Sequence, residues 1–154
     1  MKPALENNIS RKLVTIQKNM KASEAYALMA NEWIRHLPVV DDKGEMVIGM
    51  ISDRDVLRAS RPDKPVAELM SSPVRTFDIG TPIRTVVTAM IDAKMSAFLI
   101  TERDEIVGII TSEDMLLLLA QLLKEEASAK WILSEFLVNP LLQKTVTMTA
   151  QAGI

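Results

Sequence analysis

The sequence predicts an α+β body made of two tandem copies of one β-α-β-β-α unit, followed by a long helix. Three observations lead there. The chain is self-similar: displaced by 61 positions, Ile9-Ser10 falls on Met70-Ser71, Val14-Thr15 on Arg75-Thr76, and Met29 on Met90. Each copy alternates short apolar runs with a stretch of apolar residues at helical spacing. The pattern Gly-x-x-Ser/Thr-x-x-Asp occurs in both copies, as Gly49-Ser52-Asp55 and Gly108-Thr111-Asp114. Between the start of the repeat and this motif the second copy is shorter by two residues, so the displacement becomes 59.

The elements follow in order. Leu13 to Ile16 and Val74 to Phe77 read as short extended segments. A helix comes next in each copy. In the first, Ala25, Leu28, Met29 and Trp33 recur at helical spacing, and Trp33 is expected to close the helix against the core. In the second, Ile83, Val86, Val87, Met90 and Ile91 do so, with Thr81-Pro82 as N-cap and first-turn pair. Buried strands are expected at 37–40 and 98–100, polar turns at Asp41-Asp42-Lys43-Gly44 and Glu102-Arg103-Asp104, and second strands at 47–51 and 106–110. A final helix starts at Asp53 and at Ser112.

A polar link with two prolines, Ser60-Arg61-Pro62-Asp63-Lys64-Pro65, separates the copies, and 66–70 suits a short helix. The expected halves are 1–64 and 65–126, with 127–154 a helical extension and tail. Each half is about 60 residues, a marginal size for independent folding, so the two sheets are expected to pack on each other about a pseudo-twofold. Residues 116–137 read as one helix, apolar on more than one face, which calls for more than one partner surface. Asn139-Pro140 ends it. Residues 138–154 carry no decisive pattern.

Composition narrows the function. No cysteine is present, which removes disulfides, thiolate metal sites and cysteine nucleophiles. His36 is the single histidine, so no multi-histidine metal site forms within one chain, and no nucleophile-elbow sequence accompanies it. Net charge is -2 without long runs of one sign, which argues against broad nucleic-acid binding, although Arg54, Arg58, Arg61 and Lys64 make one local basic stretch. The N-terminal residues lack an apolar stretch and no apolar run approaches about 20 residues, so a cytoplasmic, membrane-free protein is expected. Met29, Met90 and Met95 fit core stripes, where Met fills gaps. Trp131 suits an interface or the chain's own core equally.

The repeated motif carries the chemistry. A helix start offers unpaired N–H groups that favour phosphate, Ser52 or Thr111 adds a hydroxyl, and Asp55 or Asp114 can accept hydrogen bonds from both hydroxyls of a ribose. Gly49 and Gly108 interrupt strands, a mark of close approach by another group. The same residues also read as capping boxes, a purely structural role compatible with binding. With Pro-Val-Val-Asp at 38–41 and Val-Ala-Glu-Leu-Met-Ser at 66–71, the paired motif resembles the signature of CBS domains over roughly residues 5–125.

That resemblance implies an adenosine-binding regulatory module without catalysis. It places ribose and phosphate at Ser52, Asp55, Thr111 and Asp114, and adenine near Thr15, Arg35, His36, Thr76, Ser96 and Ala97. No obligatory cofactor is implied; an adenine nucleotide, AMP or ATP first, is the expected ligand. A homodimer and an effector protein on another chain are the expected partners. A ligand-free assembly scaffold is the alternative. The two clefts are expected to differ, because Arg54, Arg58, Arg61 and Arg35-His36 surround the first motif, whereas Glu113 and Ser96-Ala97 stand at the second.

Overall fold

The computed structural model describes residues 5–138, with side chains described through residue 130. The element order is β1 (Ile16–Gln17), α1 (Ala22–Glu32), β2 (His36–Val40), β3 (Val47–Ser52), α2 (Asp53–Leu57), then β4 (Thr76–Asp78), α3 (Ile83–Ala93), β5 (Ala97–Glu102), β6 (Glu105–Thr111) and α4 (Ser112–Val138). Each repeat builds a three-stranded sheet, β1-β2-β3 and β4-β5-β6. In both, the first pair is parallel and the second antiparallel. A register shift falls at Val39/Val40 and again at Ile100/Thr101, the same place in the repeat. The expected α+β repeat architecture is therefore the observed one, and its two-residue shortening has a visible cause. The second hairpin turns through Arg103 and Asp104, both at positive φ, whereas the first uses a longer loop with Gly44 at φ 73°.

The middle strand of each sheet, β2 and β5, is almost fully buried. Leu37, Val39, Ile51, Phe98, Leu99, Ile100 and Ile110 are fully buried. Phe98 meets Phe77 edge-to-face, with ring centroids 5.0 Å apart, and Arg75 lies over its face at 5.6 Å. Helix α1 lays Ala22, Ala25 and Met29 into the core, and α3 lays Val86 and Met90. Short 3₁₀ turns precede both repeats at Leu5–Asn7 and Val66–Glu68, and each buries its first residue.

The pseudo-twofold is written into two reciprocal contacts. Ser10, just before the first repeat, bridges to Ile109 of β6; Ser71, just before the second, bridges to Met50 of β3. Each lead-in segment thus extends the sheet of the other repeat. Ser10 N–H donates to the Ile109 carbonyl at 2.9 Å, and Ser71 N–H to that of Met50 at 2.8 Å.

Three expectations change. Trp33 does not close α1 against the core: it is 94% exposed and forms the C-cap in the left-handed region at φ 56°. Its side chain leaves the apolar stripe because the helix stops there, with Ile34 N–H bonded back to Met29. Pro82, not Thr81, occupies the N-cap of α3, and the first turn begins at Ile83. The helix starting at Ser112 and the long apolar helix are one continuous element, α4.

The repeats form one compact unit that ends at Asp114. Within the remainder of α4, Leu116, Leu117, Leu119, Leu122 and Leu123 are exposed. The Trp131 side chain and the tail at 139–154 lie outside the described side chains and residues. No helix among the described residues is long and apolar enough to cross a membrane.

Candidate functional site

The site begins where β3 runs into α2. Ser52 stands in extended conformation at the N-cap and its N–H donates to Asp55 Oδ2 at 2.8 Å. The Ser52 hydroxyl donates to the same oxygen at 2.6 Å and accepts from Asp55 N–H at 3.3 Å. Thr111 and Asp114 repeat this arrangement at the start of α4, with bonds of 2.7, 2.7 and 3.3 Å. Both motifs are complete capping boxes.

The helix starts are less open than the sequence suggests. At α2, Asp53 N–H donates to the Arg35 carbonyl, Arg54 N–H to Asp53 Oδ1 and Asp55 N–H to Ser52. A helix of five residues with its first three N–H groups taken offers little to a phosphate. Any anion here must be held by side chains. Asp55 remains available through Oδ1, which has no hydrogen-bond partner among the described residues.

Beside Asp55 lies a cleft of about 180 Å³, lined by residues of both repeats. The first repeat supplies His36, Met50, Ser52, Arg54, Asp55 and Arg58; the second side supplies Ser71, Lys94, Met95, Ser96 and Ala97. The structure thereby reassigns Ser96 and Ala97. They do not stand with Thr111 and Asp114 alone but face the Asp55 motif across the pseudo-twofold. His36 Nε2 and Ser96 Oγ share a hydrogen bond of 2.8 Å at that crossing.

The other expected residues separate from this cleft. Arg35 turns away, its Nε donating to Asp53 Oδ2 at 2.9 Å. Arg61 pairs with Asp63 at 3.5 Å. Thr15, just before β1, and Thr76, the first residue of β4, are exposed. Thr111 and Asp114 occupy the matching junction of the second repeat.

Met50, Ser71, Lys94 and Met95 line the cleft without having been singled out as site residues. One signal pointed to Lys94 and Met95. If two repeats pack about a twofold, the residues just before β5 must approach the motif of the first repeat.

Charge in the cleft is lopsided. Burial pushes the His36 imidazole below its ordinary pKa; Asp53 and Asp55 oppose this, and Arg35 and Arg54 reinforce it. Burial would raise the Asp53 carboxyl, but the Arg35 guanidinium and the Arg54 N–H outweigh it and hold the group below the usual carboxylate range. His36 therefore sits neutral among fixed charges.

Comparison with known proteins agrees with this geometry. The CBS domain family matches residues 7–62 and again 66–121. L-aspartate semialdehyde sulfurtransferase of Methanocaldococcus jannaschii is 30% identical over 109 residues, which are 70% of this chain but 21% of that protein. The chain thus spans about a fifth of that relative's length. Among solved structures, the CBS domain pair of protein MJ0100 in complex with 5′-methylthioadenosine and S-adenosyl-L-methionine superposes with a TM-score of 0.71 at 27% identity, covering 79% of this chain and 98% of that one. CBSX2 in complex with AMP shares the fold, with a TM-score of 0.66 at 18% identity over 77% of this chain and 97% of that one. Two family matches in tandem, on two sheets joined by reciprocal bridges, establish that the chain belongs to the CBS-domain family as a CBS pair.

Proposed function

We propose that the protein is a non-catalytic regulatory module that binds an adenosine compound in the cleft beside Asp55 and passes the resulting change to a partner protein. Its working halves are residues 1–64 and 65–126. The observation that carries the reading is the shared cleft: both repeats line it, and among its lining residues Asp55 keeps Oδ1 without a hydrogen-bond partner among the described residues. Ribose hydroxyls suit that oxygen, and the apolar walls at Met50, Met95 and Ala97 suit a purine. The adenosine ligands of the MJ0100 pair support the same class. Because the lining spans the repeats, a bound ligand would bias how they meet, which is the physical content of a signal.

The test is a thermal-melt panel of the purified protein with AMP, ADP, ATP, S-adenosylmethionine and 5′-methylthioadenosine. Ligand at about 100-fold over its Kd should stabilise the native state by about 2.7 kcal/mol. Absence of any shift in folded, ligand-stripped protein would remove the proposal.

A second reading, a ligand-free assembly scaffold, is favoured by the five exposed leucines of α4 and by capping boxes that are satisfied without ligand. It predicts self-association with an inert cleft. We further propose that residues 116–137 contribute to a homodimer, which is compatible with either reading.

A further inference from the structure

We infer that the cleft selects adenosine ligands bearing an anionic 5′ group, a phosphate or phosphate chain, and that Lys94 of the second repeat sets this preference. The inference rests on the reading of the cleft as an adenosine site and names the class of ligand it takes.

Three cations line the cleft: Arg54, Arg58 and Lys94. Among the described residues none of the three has an ion pair or a side-chain hydrogen bond. Their neighbours in sequence and space are different. Arg35 is held by Asp53 at 2.9 Å, Arg61 by Asp63 at 3.5 Å and Lys64 by Glu68 at 3.5 Å. The single carboxylate lining the cleft is Asp55, and one of its oxygens is already bonded to Ser52. Three cations against one lining carboxylate leave the local charge positive.

The fold does not require this charge. Carried through the repeat register, Arg54 corresponds to Glu113, Arg58 to Leu117 and Lys94 to Trp33. Both Lys94 and Trp33 cap their helices in the left-handed region, at φ 55° and 56°, where glycine is the easier residue. The backbone geometry recurs while the side chain does not. The cationic set is thus a property of one cleft, as expected of ligand selection.

The ligand chemistry follows. AMP carries a phosphate on its 5′ carbon. 5′-Methylthioadenosine carries a neutral thioether there, and S-adenosylmethionine a sulfonium cation. Guanidinium and ammonium groups hold phosphate through charge-assisted hydrogen bonds and repel a sulfonium. Arg54 and Arg58 come from the first repeat and Lys94 from the second, so a phosphate held by both sides would tie the repeats together.

The experiment is calorimetric titration of AMP, adenosine, 5′-methylthioadenosine and S-adenosylmethionine into wild type and Lys94→Asn, at low and high salt. Asn tolerates the left-handed backbone, and Lys94→Gly serves if that variant folds poorly. Wild type should bind AMP at least about tenfold more tightly than 5′-methylthioadenosine. Lys94→Asn should weaken AMP by about tenfold, leave adenosine within about twofold, and flatten the salt dependence of AMP binding. The unliganded melting temperature should hold. Unchanged AMP affinity, an equal loss for adenosine, or wild-type binding of S-adenosylmethionine as tight as AMP would overturn the inference while leaving the adenosine reading standing. No binding of any of the four would overturn both.

Discussion

His36 of the first repeat and Ser96 of the second meet side chain to side chain, 2.8 Å apart, at the wall of the cleft. This bond couples the site to the packing of the repeats, and it predicts a pH dependence. Burial holds His36 below its ordinary pKa, so the folded protein keeps the ring neutral at pH values where the unfolded chain takes up a proton. In that window the unfolded state binds more protons, so stability rises with pH and is lost as pH falls below about 6.5. Urea midpoints measured from about pH 7.5 to 5 should fall more steeply for wild type than for His36→Gln. Identical slopes would show that the histidine does not contribute.

The two aspartates cap alike but should bind unlike. Asp55→Ala and Asp114→Ala each remove a capping box and should each cost about 1 kcal/mol without ligand, read as a lower melting temperature. Only Asp55→Ala should also abolish the stabilisation by adenine nucleotide, because the cleft lined by both repeats contains Asp55. Equal loss of nucleotide response in both variants would place the ligand elsewhere.

The motif glycines make room for backbone from the other repeat. A Cβ at Gly108 would lie 2.8 Å from the Ser10 carbonyl oxygen, which is already fixed by the Ile109 N–H at 3.0 Å. At Gly49 the nearest atom would be the Met70 sulfur at 2.5 Å, the end of a flexible side chain, with the Ser71 oxygen at 3.0 Å. Gly108→Ala should therefore destabilise by about 1–3 kcal/mol and Gly49→Ala by less. Denaturant unfolding of the two variants ranks them; the reverse order would mean that the lead-in segment yields more readily than the methionine.

Self-association should depend on α4. Leu116, Leu119 and Leu123 form one stripe, each at least half exposed. Light scattering at micromolar concentration should give a dimer for wild type and a monomer for the Leu116→Glu/Leu123→Glu pair. A wild-type monomer would remove α4 as an interface.

The repeat, the helix starts at Asp53 and Ser112 and the strand core were legible because each rests on local periodicity or capping chemistry written twice. Trp33 was misplaced because spacing alone cannot tell the last apolar residue of a stripe from a left-handed cap just beyond it. The glycines signalled close approach, yet only the fold shows that the approaching groups belong to the lead-in segment of the other repeat. Lys94 escaped notice as a site residue because it marks the end of a helix locally; its relation to Asp55 exists only across the pseudo-twofold. Ser96 and Ala97 do stand beside Thr111, as the repeat implies, and only the fold shows that they also line the Asp55 cleft.

The exchange of lead-in segments has a consequence for solubility. β3 and β6 are outer strands, and an outer strand with open N–H and C=O groups is a template for aggregation. Ser71 lies on β3 and Ser10 on β6. Each half thus shields the sticky edge of the other. A chain shortened from the front past Ser10 would leave β6 uncovered at Ile109, and it should form sheet-like aggregates even though every residue of both sheets is still present.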